Sequence, residues 1–279
     1  MKSKGDKELY KDVRKIKMSE ILPKLSFPPG FDHAIIDENN NLLNFCSSRY
    51  NLVKNSVVFK PIEDYLKKIN VEYIRKIKVI NKSKFYVDYI IKQRKETESV
   101  KGILPKISVW NSYDGGSIMR YEFGFYRLVC SNGLSVPTKD FNIKHFKHSK
   151  VDSIVKADII NSLLEIKNFI DESCDIVKNF EELSKIKVTK RKISSIGEKI
   201  GFSKKIIQSA EERYDLEANS GLEYINEYGE VVKHNGSDKN LFLAYNALNF
   251  GIYNTNLKEL LEKKLDKDKK LMKFILETL

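Results

Sequence analysis

Three short segments hold the residue types most suited to chemistry: Ser47 to Val53, Asn111 to Ser117, and Arg127 to Leu134. Each mixes turn formers with side-chain donors and acceptors where a strand should end. In the second, Asn111, Ser112 and Asp114 stand beside Gly115 and Gly116, two residues free to take positive φ, which suits a tight hairpin turn. The alternative is a loop whose amides and Ser112 or Ser117 hydroxyls contact phosphate, with Arg120 and Arg127 nearby. Without the lysine and serine that follow a nucleotide-binding glycine loop, a triphosphate site is rejected.

Metal chemistry needs convergent ligands. Cys130, His145 and His148 lack the paired close spacings of zinc sites, and no fourth ligand is evident. Two-metal nuclease chemistry would draw on Asp88, Asp114, Glu122 and Asp140, whose spacing singles out none of them. No nucleophile elbow or catalytic cysteine signature is present. These readings favour a binding protein over an enzyme and imply no metal or other cofactor.

Cations are the stronger signal. Lys139, Lys144, Lys147 and Lys150 alternate with Phe141, His145, Phe146 and His148, a pattern in which ammonium groups neutralise phosphates while aromatic faces stack on bases. A second run, Lys185, Lys187, Lys190, Arg191 and Lys192, is followed by Lys199, Lys204 and Lys205 with Glu198 opposing. Each run alone reads as a solvated face; both together point to nucleic acid. The formal net charge of +12 agrees, because cations set against phosphates release condensed counterions. Part of that basicity reflects a composition rich in Lys, Ile and Asn, as AT-rich coding produces.

The elements that must position these residues fall into two parts, 1–150 and 151–279, each long enough for a buried core. The class expected is α+β: an antiparallel-sheet lobe with flanking helices, then a mainly helical lobe. Leu9 to Ile21 carries apolar residues at near-helical intervals closed by Pro23, and Ala34–Ile36 with Leu42–Cys46 reads as a hairpin. A short helix over Phe59 to Ile69 should start near Pro61. Strands are expected over Glu72–Ile80, Lys84–Lys92, Lys106–Trp110 and Ile118–Val129, the aromatic run from Tyr121 to Leu128 being a core strand. Helices follow over Val151–Leu183, as one long helix or two, over Ile193–Leu216 with interruptions at Gly197 and Gly201, and over Leu241–Phe250 and Leu257–Leu276.

Cys46, Cys130 and Cys174, odd in number and far apart, fit a reduced compartment. The charged start Met1 to Asp6 leads into no apolar region, and no later run reaches the roughly 18 apolar residues of a membrane span. A location in the cytoplasm of a host cell is expected, with no membrane partner.

In order and spacing the segments, with Lys144–His145 and Tyr245–Ala247, resemble the phage and plasmid family catalogued as domain of unknown function 932, over about residues 34 to 255. Arg49, Tyr50, Asn111, Ser112, Asp114, Gly115, Arg127, Cys130, Asn132 and His145 match that family's elements; Tyr113 stands where histidine is usual, against an essential metal or proton-transfer role there. The resemblance implies carriage on phages, prophages and plasmids, and no activity. The function expected is therefore nucleic-acid binding, to single-stranded DNA, with an annealing or recombination role and self-association. It draws on the fold-level likeness to phage annealing proteins that combine a small antiparallel sheet with helices. Contacts are assigned to Arg49, Tyr50, Arg120, Arg127, the 139–150 cations with His145, and Lys190, Arg191 and Lys192. The alternatives are a metal-dependent nuclease and a counter-defence factor engaging a host protein.

Overall fold

A computed structural model describes residues 4–28, 30–92, 103–115, 119–127, 133–135, 144–146, 152–219, 223–225, 231–233, 236–256, 259 and 261–277. The chain opens with α1 (Lys4–Leu9), β1 (Val13–Lys17) and α2 (Met18–Ile21). The single helix expected over Leu9 to Ile21 is thus replaced by a strand between short helices. Pairing of Val13–Lys17 antiparallel with β2 (His33–Asp37) overrides the weak helical periodicity, because the strand's backbone groups gain a ladder partner.

The β2 to β3 (Leu42–Cys46) hairpin is found where it was expected. Its turn is built on Asp37, whose Oδ1 accepts from the amides of Asn39 and Asn41 at 2.8 and 2.9 Å, while Asn40 takes φ 60°. Lys11 Nζ sits 2.6 Å from the same carboxylate, which is fully buried.

Helix α3 (Asn55–Lys68) begins six residues before Pro61, correcting the expected start. Burial of Val58, Phe59, Ile62 and Leu66 along one face outweighs the hydrogen bond that proline removes. Beside that gap Tyr121 Oη donates to the Val58 carbonyl at 3.2 Å.

Strands β4 (Tyr73–Ile80), β5 (Lys84–Ile91), β6 (Ile103–Ser112), β7 (Met119–Arg127) and β8 (Gly133–Ser135) lie in that order in the largest sheet. β9 (Lys144–Phe146) also pairs with β7, antiparallel along Met119–Tyr121, as β8 does along Gly124–Tyr126. Helix α4 (Asp152–Lys185) is one continuous helix; α5 (Lys190–Ile200) and α6 (Lys204–Ala218) follow. A β10 (Glu223–Ile225) to β11 (Val231–Lys233) pair precedes α7 (Leu241–Asn254) and α8 (Leu261–Leu276). The fold is α+β with antiparallel sheets and helices concentrated toward the C-terminus.

Two compact units emerge. Unit 1 comprises Met1–Ile90, Ile107–Glu122 and Asn142–Asn168; unit 2 comprises Ile91–Lys106, Phe123–Phe141 and Phe169–Leu279. In unit 2, Phe125 meets Phe180 edge-on at 5.5 Å between centroids, and Phe180 lies 5.4 Å from Phe242. These rings and the almost wholly buried α7 form that unit's core.

Candidate functional site

Asn111 and Ser112 are not in a turn: they close strand β6 and are buried, at 1% and 0% exposure. Their partners explain it. Asn111 Nδ2 donates to the Val53 carbonyl at 3.0 Å and to Asn55 Oδ1 at 2.8 Å, so the side chain ties the sheet to the start of α3. Asn55 Nδ2 continues the network to the Leu9 carbonyl at 2.8 Å. Tyr113, fully buried, accepts at Oη from the Asn55 amide at 2.9 Å and packs edge-on against Phe85 at 5.2 Å. That amide belongs to the first turn of α3, whose N–H groups have no intrahelical acceptor. A phenol at position 113 therefore caps a helix, and burial raises it above its usual range, so it stays neutral.

Tyr50, in the connection between β3 and α3, joins this corner by donating from Oη to the Ser112 carbonyl at 3.3 Å. Burial pushes its phenol up as well. Lys15 Nζ holds the turn before it by donating to the Ser48 and Tyr50 carbonyls, each at 2.7 Å. Gly115, at φ 66°, would place a Cβ 4.0 Å from the Tyr50 ring. Asp114 accepts from Ser83 Oγ at 3.0 Å and lies 3.8 Å from Lys84 Nζ. Arg49 is exposed.

Arg120 lies in the core at 6% exposure. Its guanidinium carbon stands 5.0 Å from the Trp110 ring centroid, and Nη2 lies 3.6 Å from Glu122 Oε1. Glu122 is likewise buried, and Asp88 accepts from Ser108 Oγ at 2.5 Å. No group of three His, Cys, Asp or Glu able to hold a metal occurs among the described residues. Cys46 is a buried free thiol, raised by that burial.

The second cation run is placed at the entry to α5. Arg191, Lys192, Lys187 and Lys199 are exposed, as are Lys204 and Lys205 at the start of α6. Lys190 is committed to Asp215 at 2.7 Å, with Lys239 Nζ 3.7 Å from the same carboxylate. The hydrogen bond with Asp215 raises the Lys190 ammonium; Lys190, against a smaller opposing effect of burial, lowers Asp215. Gly116, Asn132, Lys139, Lys147 and Lys150 lie outside the described residues, and for Arg127 in β7 and Lys144 and His145 in β9 only the backbone is described.

Reading by motif missed Asn55 and Ser83, which complete the polar corner. Asn55 carried a signal, since asparagine is common at helix starts, but Pro61 drew the expected helix start six residues too far along the chain.

The described architecture defines an α+β protein with antiparallel sheets. Within that class, the family model described as Domain of unknown function (DUF932) matches residues 42–255, and the chain belongs to this family. No curated protein and no solved structure matches. Among the described residues no helix is long and apolar enough to cross a membrane.

Proposed function

We propose that the chain is a nucleic-acid-binding protein of mobile genetic elements that holds single-stranded DNA in annealing or recombination. One observation carries the reading: eight cations and one acid between Lys185 and Lys205, of which Lys187, Arg191, Lys192, Lys199, Lys204 and Lys205 stand in solvent. Exposed ammonium and guanidinium groups not consumed by acids are what a phosphate backbone requires. The Lys139–Lys150 stretch, where cations alternate with aromatic rings, supplies by sequence the stacking component that single strands favour. Arg120, buried against Trp110 and Glu122, and Lys190, held by Asp215, are left out of the proposed surface. Self-association accompanies this role.

The test is binding of a labelled single-stranded oligonucleotide over a salt series. Affinity should fall steeply as salt rises, and alanine at Lys144, Lys147, Arg191 and Lys192 together should weaken binding by roughly tenfold or more on every sequence. Unchanged affinity in that variant removes the surface.

A further inference from the structure

Residues 193–210 combine three features that a groove-binding helix pair needs. The first is a tight, rigid turn. Helix α5 ends at Ile200 and α6 starts at Lys204, leaving three residues between them. Gly201 takes the left-handed conformation (φ 82°, ψ 34°), and the Phe202 amide donates back to the Gly197 carbonyl at 2.8 Å. Ser203 then caps α6, accepting from the Ile206 amide.

The second is close approach of the helices. A Cβ on Gly197 would stand 2.7 Å from Ile207 Cγ1, so any larger residue there would force the Ile207 side chain to shift. Helix α7 seals the pair from behind in the same way: a Cβ on Gly251 would come within 2.6 Å of the Ile206 carbonyl oxygen. Ile193, Ile196 and Ile200 of α5, with Ile206, Ile207, Ala210 and Tyr214 of α6, are buried, which fixes the roll of α6 about its axis.

The third is what that roll leaves outside. Lys204, Lys205 and Gln208 are exposed on the first turns of α6. The acids of the helix lie further along and are mostly occupied: Glu211 accepts from Ser194 Oγ, Asp215 is held by Lys190, and Arg213 Nε lies 3.4 Å from Glu217. Glu212 accepts from Gln208 Nε2 at 3.2 Å, a surface bond that a stronger partner can replace.

Two helices joined by a short glycine turn, the second presenting polar residues from its first turns, is the helix-turn-helix arrangement. We propose that α5–α6 docks on double-stranded DNA, with the first turns of α6 in the major groove. Lysine can donate to guanine O6 and N7 and glutamine can pair with adenine N6 and N7, while Arg191 and Lys192 at the start of α5 neutralise phosphates. The occupant is a duplex by charge complementarity and by width, because the major groove admits a helix. This goes beyond the single-strand reading, with which it shares Arg191, Lys192, Lys204 and Lys205, by adding a duplex as ligand and Gln208 as a base-reading side chain.

The full chain is titrated into a labelled duplex and, separately, into one of its single strands, at several salt concentrations. The double variant Lys204→Glu/Lys205→Glu should weaken duplex binding by about tenfold or more, and it should lower single-strand affinity as well, because both lysines belong to the surface proposed for single strands. Gln208→Ala should keep the salt slope and broaden the sequences recovered from a randomised duplex pool. Both sites are exposed, and an unchanged unfolding midpoint confirms that the variants fold. Duplex affinity unchanged by the charge reversal, the same sequences recovered from the duplex pool by the Gln208→Ala variant, or single-strand binding with none to duplex overturns the inference and leaves the single-strand reading standing. Duplex binding lost by the variant in a chain that ignores single strands supports the inference and removes that reading. Absence of binding to either ligand removes both.

Discussion

In unit 1 the Asn111–Tyr113 segment turns inward, whereas in unit 2 the cations at the starts of α5 and α6 turn to solvent. Asn111, Ser112 and Tyr113 are buried and bonded to the start of α3 and the end of β3's connecting segment, with partners tens of residues away. Arg191, Lys192, Lys204 and Lys205 stand on the outer faces of α5 and α6. The difference lies in what fixes residue identity. A buried amide or phenol must match the geometry of particular partners, since an unmatched group costs about 1–3 kcal/mol. An exposed cation contributes through its field, so position along the face matters more than an exact contact. Asparagine, serine and glycine motifs that look like a site in this chain therefore report scaffold, and the bland lysine runs report surface.

The sharpest way to break that contrast is Tyr113. Its replacement by alanine should destabilise the chain by about 3–5 kcal/mol through lost ring packing. Tyr113→Phe isolates the cap, leaving the ring against Phe85 but the Asn55 amide without its acceptor, at a cost of about 1–3 kcal/mol. Denaturant titration reads both. A phenylalanine variant as stable as the original protein would show that the phenol is idle, and the polar corner would lose its structural meaning.

The same contrast decided what could be read from sequence. The β2–β3 hairpin and the helical character of α4 were legible because their signals are local: a polar Asp37–Asn41 turn in one, a long periodic run without proline or glycine in the other. Asn111 and Ser112 were read as turn residues because their propensities are those of turns. The Asn111 side chain is tied to Val53 and Asn55, 58 and 56 residues away, and the Ser112 carbonyl to Tyr50, partners that leave no local trace. Pro61 misplaced the start of α3 for a related reason, since its cost is local while burial of Val58 and Phe59 is tertiary. Gly197 was read as an interruption, yet α5 runs through it, and its absent side chain serves the approach of Ile207. The exposed cations needed no such context.

Gly251→Ala sharpens the unit 2 side. Alanine gains about 1 kcal/mol of helix propensity over glycine, but its Cβ would lie 2.6 Å from the backbone oxygen of Ile206, which cannot rotate away. The clash wins, and a net loss of about 2 kcal/mol is expected. Amide hydrogen exchange should show the opening concentrated in α5, α6 and α7. An alanine variant of undiminished stability would mean that α7 does not fix the roll of α6.

The smallest effect comes from setting one ion pair of each unit against the other. Asp37 is buried; burial opposes its charge, but Lys11, Asn41 and the amides of Asn41 and Asn39 prevail and hold its carboxyl well below the usual range. A carboxylate so depressed adds stability that is present above about pH 4, its unfolded value, and is lost as pH falls through the lower folded one. Asp37→Asn should thus cost about 1–2 kcal/mol at neutral pH and flatten the acid limb of the stability curve. Lys190→Ala should leave both the neutral-pH midpoint and the acid limb nearly unchanged, because that pair is half exposed and Asp215 keeps Lys239 nearby. Equal acid sensitivity in the two variants would sink the distinction between an inward, geometry-bound unit 1 and an outward, field-bound surface on α5 and α6.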